Sequence, residues 1–253
     1  MAWLLDLDGV VWRGDTPIAG AVQSVERLRE VGETVWFVSN NARSTHQAMV
    51  EKLHRHGIDP FDELVTSPMA AATLIEPGER ILVCGGPGIT EAVVGRGAEA
   101  IDAVQSVTDV NAVMVGLHVE FDYQRLSHAC TALQSGARLI ATNDDMTYPG
   151  SNGLLPGAGA ILAAVVAASG VLPVIAGKPY GPMVALLRRL AGSSGTVVGD
   201  RADTDGRLAR ALGFQFGLVY SGVTSESDLP VEPQPDVSAV DLLTLVNRLV
   251  GDQ

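Results

Sequence analysis

LLDLDGVVWRG, residues 4–14, is the stretch from which the rest of the chain can be read. Apolar residues from Ala2 to Leu5 predict a short buried strand, after which Asp6, Asp8 and Gly9 follow in quick succession. Buried parallel strands read as continuous apolar runs, and in open α/β sheets ligands collect just beyond their carboxyl ends. Side chains alternate along an extended segment, so Asp6 and Asp8 project to one side while Leu7 anchors the other. Two close carboxylates repel unless a cation sits between them, and a hard divalent ion with oxygen ligands suits that place. Taken alone, the stretch reads equally well as a strand ending in an Asp-Gly turn that Asp8 begins.

Working outward, Val22, Val25, Leu28 and Val31 recur at three-residue spacing before Gly32, which predicts an amphipathic helix over 21–31. Thr34 to Val38 is a second buried strand, ending in Ser39, Asn40 and Asn41. Ser44 with Gln47 three residues on predicts a capping box for a helix ending near Gly57. Strand, helix, strand, helix is the pattern of a parallel sheet with crossover helices. Ser39 and the amides near Asn40 are then placed to hold phosphate oxygens, or else form a turn and helix cap.

After a break at Glu76-Pro77-Gly78 the alternation starts afresh, with strands at 81–83, 112–115 and 139–141 and helices near 90–94 and at 123–134. The polar, glycine-rich stretch TNDDMTYPGSNGLLPGAG, residues 142–159, is too rich in special residues for a plain hairpin, and long loops of this kind are often functional. A strand at 174–176 delivers Gly177-Lys178-Pro179, and Pro182 begins a helix bearing Met183, Leu186, Leu187 and Leu190. The strand 196–198 ends in GDRADTDG, residues 199–206, with Asp200, Asp203 and Asp205 clustered; helix capping accounts for at least one of these acids. A strand at 214–220, a stiff connection through Pro230, Pro233 and Pro235, and a helix over 238–250 complete the chain.

Composition limits the functions available. A chain of 253 residues has room for one large α/β domain or two, and a net charge of −12 without any basic block argues against nucleic acid and anionic membranes as partners. Cys84 and Cys130 are far apart and read as reduced, buried thiols of a cytoplasmic protein. The apolar run 158–168 is too short to span a bilayer. Glycine-rich turns fail as nucleotide fingerprints: Glu91 and Leu162 stand where the third glycine would be, and Leu172 where a P-loop would begin. Lys52 and Lys178 are the only lysines among seventeen basic residues, so a lysine between Gly177 and Pro179 at a strand end stands out as a point charge against carboxylate or phosphate.

DxDG, SNN, GKP and GDxxDTD occur in this order, each directly after a short apolar strand. With the segments IATNDDMTYPG (140–150), GLLPGAGA (153–160) and YSGVT (220–224), the chain resembles the haloacid dehalogenase (HAD) superfamily of phosphatases over nearly its whole length. It is most similar to subfamily IIA, whose NagD-like, phosphoglycolate and glycerol-phosphate phosphatases carry a large C2-type cap. The resemblance implies a Rossmann-like parallel-sheet core, residues 1–78 and 177–253, interrupted by an α/β cap at 79–176. It implies a Mg²⁺-dependent phosphatase of small phosphorylated metabolites, such as sugar, glycerol, glycolate or nucleotide monophosphates, working through an aspartyl-phosphate. Asp6 would be the nucleophile and Asp8 the general acid and base, while Mg²⁺ would be held by Asp6, the Asp8 carbonyl and Asp200. Ser39 and the Asn40 amide would hold the phosphoryl group, with Lys178 neutralising charge. Asp203 and Asp205 would orient Lys178 or metal-bound water. Asn143, Asp144 and Tyr148 are the cap residues assigned to substrate choice.

Relatives also lead one to expect a homodimer formed through the cap. Ala158 and Gly206 depart from the family pattern, where Asn and an apolar residue are usual, and His118 reads as a structural histidine. Competing functions are a phosphotransferase and a non-hydrolytic phospho-accepting module. Asp8 argues against the module, because an acid and base two residues from the nucleophile favours turnover.

Overall fold

The computed structural model describes residues 1–150 and 153–251, so positions 151–152 of the glycine-rich stretch lie outside the described residues. It resolves into two compact units: Met1–Ser39, Val50–Val65 and Val184–Gln253 in one, Asn40–Met49 and Thr66–Met183 in the other.

The first unit is built on a six-stranded sheet in the order Val237–Ala239, Gln215–Val219, Gly195–Gly199, Ala2–Leu5, Thr34–Ser39 and Leu64–Thr66. Ala2–Leu5 pairs in parallel with both neighbours, Leu5 lying opposite Val198 on one side and Phe37 on the other. That strand is buried along its whole length, which is why it carries no polar residue before Asp6. Helix Ala21–Glu30 buries Ala21, Ser24, Val25 and Leu28, so the expected face keeps Val25 and Leu28 but leaves Val22 half-buried and Val31 exposed at the C-cap, and Gly32 follows at φ 80°.

The second unit has its own five-stranded parallel sheet, ordered Val174–Ile175, Arg138–Ala141, Ala112–Val115, Arg80–Cys84 and Glu99–Asp102. In chain order it interrupts the first sheet between Leu64–Thr66 and Gly195–Gly199. Leu133, Leu139, Leu162 and Val165 are among the side chains that fill its core. Helix Tyr123–Gln134 falls where the periodicity puts it, capped by the Asp122 carboxylate accepting from Arg125 N–H at 2.8 Å. Among the described residues no helix is long and apolar enough to cross a membrane.

Some local expectations need correcting. The helix expected to begin at Ser44 starts at His46, because the Thr45 hydroxyl, one residue later, accepts the Ala48 N–H at 3.1 Å. The last helix spans Leu242–Val250 rather than 238–250. Asp241 caps it through Thr244 N–H at 2.8 Å, and Val237–Ala239 is instead drawn into the sheet. Within 142–159, Thr147–Gly150 pairs antiparallel with Gly153–Pro156, so the stretch does contain a ribbon. Both cysteines are free and buried, as expected.

Candidate active site and metal centre

In the first unit, three adjacent strands end side by side. Their shared register delivers Asp200, Asp6 and Ser39 at consecutive carboxyl ends, with Asp6 N–H donating to Val198 O at 2.9 Å. One carboxylate oxygen from each of Asp6, Asp200 and Asp205 lies within 4.8 Å of the others. Asp200 and Asp205 are 2 % and 1 % exposed. Three carboxylates so close, two of them cut off from water, repel one another and lack solvation; a hard divalent cation relieves both costs. The donor set therefore fits such an ion.

The surrounding loops hold these acids in place. Asp200 Oδ2 accepts Val223 N–H at 2.6 Å, and the Asp200 carbonyl accepts Thr224 N–H at 3.2 Å. A Cβ on either Gly9 or Gly222 would overlap the Asp200 carboxylate, so both positions require glycine. Beyond Asp200 the chain makes one wide π-type turn, Ala202–Gly206, with Gly206 N–H reaching back to Arg201 O at 3.2 Å. Asp205 Oδ2 accepts from Arg201 N–H at 3.3 Å. Asp203 lies apart from this cluster: the Arg201 guanidinium grips it at 2.8 and 3.1 Å, and that hydrogen bonding holds its carboxyl below the usual carboxylate range. Gly206 has a packing reason, since a Cβ there would stand 2.8 Å from the Phe216 ring and 2.9 Å from Pro233.

Asp8 is exposed, on a tight loop in which Leu7 O accepts the amides of Val11 and Trp12 at 2.9 and 3.1 Å. The Trp12 indole N–H donates to Asp8 Oδ1 at 2.9 Å. The Ser221 hydroxyl donates to Gly9 O at 2.7 Å, and Arg13 Nε donates to Ser221 O, fastening the 220–224 segment to this loop.

In the second unit, Asn40 is the centre of a polar network. Its Oδ1 accepts Lys178 N–H at 2.8 Å, and its Nδ2 donates to Lys178 O at 3.2 Å and to Asp145 Oδ2 at 3.1 Å. Its carbonyl accepts from Ser67 Oγ and from Asn143 Nδ2, both at 2.9 Å. Asn143 is buried, with Oδ1 accepting Asp145 N–H at 3.1 Å, so both ends of its amide bind protein. Lys178 is 3 % exposed. Asp144 accepts the Tyr180 hydroxyl, and Tyr148 sits half-buried on the ribbon opposite Leu155. His118 is a satisfied side chain: its Nδ1 accepts Glu120 N–H at 3.1 Å, and burial lowers its pKa.

Trp12, Val223, Gly222, Arg201 and Asp145 escaped the sequence reading. All five lie within stretches that the sequence singles out, but neither spacing nor periodicity gives any of them a role.

The comparisons with known proteins agree with one another. The sequence profile of the haloacid dehalogenase-like hydrolases matches residues 3–99, and a HAD-hydrolase-like profile matches 175–245. An acid sugar phosphatase of Staphylococcus saprophyticus is 34 % identical over 92 % of each chain. A p-nitrophenyl phosphatase from Archaeoglobus fulgidus superposes with a TM-score of 0.90 at 30 % identity, over 98 % of each chain. The glycerol phosphate phosphatase of Mycobacterium tuberculosis, crystallised with calcium and with magnesium, superposes with a TM-score of 0.87 at 34 % identity; in the calcium complex the match covers 96 % of this chain and 74 % of that one.

Proposed function

We propose a Mg²⁺-dependent reaction through an aspartyl-phosphate for this chain, which belongs to the haloacid dehalogenase superfamily and is a phosphoric monoester hydrolase of its subfamily IIA. The observation that carries the proposal is the convergence of Asp6, Asp200 and Asp205 at the carboxyl end of the first sheet, with Asp8 two residues from Asp6. Among the carboxylates there, Asp6 follows the central strand directly and is only half-buried, which suits a group that must meet substrate.

In this reading an Asp6 carboxylate oxygen attacks phosphorus as the ester P–O bond breaks, and Asp8 protonates the leaving oxygen. Asp8 then takes a proton from water as that water's oxygen attacks phosphorus and the Asp6–phosphorus bond breaks. Asp6, Asp200 and the Asp8 carbonyl would hold Mg²⁺, with Asp205 close enough to contribute directly or through water. The ion supplies charge neutralisation for phosphate and nucleophile. Ser39 and the Asn40 amide hold the phosphoryl group, and Lys178 offsets its charge, in the roles the family motif gives these positions. The segment 79–176 acts as the cap, with Asp144 and Tyr148 contributing to substrate choice and Asn143 acting through its hold on Asn40.

Relatives named for sugar phosphates, glycerol phosphate and an aryl phosphate support small phosphorylated metabolites as the substrate class. The test is phosphate release from sugar, glycerol, glycolate, nucleotide and aryl monophosphates, with and without Mg²⁺ and with an added alcohol acceptor. Mg²⁺-dependent free phosphate is the expected product. Phosphate passed mainly to the alcohol would identify a phosphotransferase instead.

A further inference from the structure

We propose that Trp12 is a positioning residue for Asp8 and that Lys52 holds Trp12 in that task; the inference rests on the reading of Asp8 as the acid and base. Asp8 is exposed, and a carboxylate on two rotatable bonds has several rotamers among which a fixed donor can select. Trp12 is 2 % exposed and donates its indole N–H to Asp8 Oδ1 at 2.9 Å. A phenylalanine would fill much of the same space without that donor.

The ring is itself fixed from several sides. Its backbone is tied to the Asp8 loop by Gly9 N–H donating to Trp12 O at 2.7 Å and Trp12 N–H donating to Leu7 O at 3.1 Å. The Lys52 ammonium lies 4.3 Å from a Trp12 ring centroid, a cation–π contact. That ammonium is anchored in turn, donating to Gly14 O at 2.6 Å and facing Asp15 at 3.7 Å. The His56 ring is tilted against the same indole at 5.6 Å. Packing alone accounts for a buried aromatic ring. It does not account for an N–H aimed at the one exposed carboxylate of the DxD motif.

With the indole N–H on Oδ1, the carboxyl is held in one orientation for proton exchange. In the first step the proton passes from Asp8 to the departing ester oxygen as the Asp6–phosphorus bond forms and the ester bond breaks. This transfer matters most for a strongly basic alkyl leaving oxygen and least for an aryl one, so misplacing Asp8 changes leaving-group selectivity.

The experiment compares kcat/KM for glycerol phosphate and p-nitrophenyl phosphate, with Mg²⁺ present, in wild type and Trp12→Phe. Both values fall, and the alkyl value falls about ten-fold further, a part of what general acid catalysis contributes. Lys52→Met shifts the alkyl-to-aryl ratio in the same direction by a smaller factor, and Lys52→Arg, which keeps a cation over the ring, restores it. An unchanged ratio in folded Trp12→Phe overturns the proposal; if that variant does not fold, an unchanged ratio in Lys52→Met does so. A wild type without Mg²⁺-dependent phosphate release, or an Asp6→Asn variant as active as wild type, would instead defeat the functional reading beneath it.

Discussion

Asn40 clasps the backbone of Lys178 from both sides, accepting its N–H at 2.8 Å and donating to its carbonyl at 3.2 Å across 138 residues of sequence. The same side chain reaches Asp145, and the Asn40 carbonyl takes hydrogen bonds from Ser67 and Asn143. Three polar loops, each following a strand, are thus tied at one residue. Asn40→Ala leaves the Lys178 amide without that partner, at a cost of about 1–3 kcal/mol in unfolding free energy. It also lowers kcat/KM by about ten-fold or more, since the role proposed for Lys178 depends on where its backbone is held. Denaturant unfolding and steady-state kinetics on one preparation check both; full activity would contradict this role.

Gly222 has no room for a side chain, because a Cβ there would overlap the Asp200 carboxylate. Gly222→Ala therefore pushes Asp200 out of the cluster it forms with Asp6 and Asp205. Disturbing the support of a metal ligand weakens affinity by about 10–100-fold. Calorimetric titration with Mg²⁺ measures this directly, and an affinity equal to wild type would show that Asp200 is not a ligand.

Desolvation pushes the Cys84 thiol up to about 12 and raises that of Cys130. Little thiolate then exists near neutral pH. Neither residue should react with a water-soluble thiol reagent in the native protein, and both should react after unfolding. Rapid labelling of Cys84 in the folded state would contradict its place in the core of the second sheet.

Asp236 accepts from Arg210 Nη1 at 2.6 Å and from Phe216 N–H at 2.7 Å. The guanidinium hydrogen bond, and after it the amide, hold its carboxyl below the ordinary 3.8 against the opposing effect of burial. Between the folded and unfolded values the unfolded chain binds more protons, so stability rises with pH there. The contribution is fully present above the unfolded value and is lost as pH falls through the folded one. Its size is modest, because the side chain is 38 % exposed. Asp236→Asn should lower the urea midpoint near neutrality, and the gap from wild type should close as pH falls below the ordinary carboxylate range. A gap independent of pH would mean that packing, not charge, is what the substitution removes.

The strand ends were legible because their information is local. A short apolar run followed by polar residues marks Asp6, Ser39, Lys178 and Asp200 as strand termini. Leu64–Thr66 and Val237–Ala239 were not legible, the second because it reads straight into the terminal helix, and pairing within the first sheet makes both strands. Asp203 and Asp205 could not be separated from spacing alone. The wide turn at 202–206 sends Asp205 to the cluster, while the neighbouring Arg201 takes Asp203. Contacts such as Val223 N–H to Asp200 and the Trp12 indole to Asp8 depend on where loops close, which no periodicity encodes.

The most direct test of the central claim is phosphate release by Asp6→Asn against wild type, on the best substrate of the panel, in Mg²⁺ and after its removal by chelation. The account predicts release by wild type that disappears on chelation and returns with Mg²⁺, and none above background from a folded Asp6→Asn at any Mg²⁺ concentration. Substantial Mg²⁺-dependent release by Asp6→Asn would contradict it, because the phosphoryl group would then have passed to something other than Asp6.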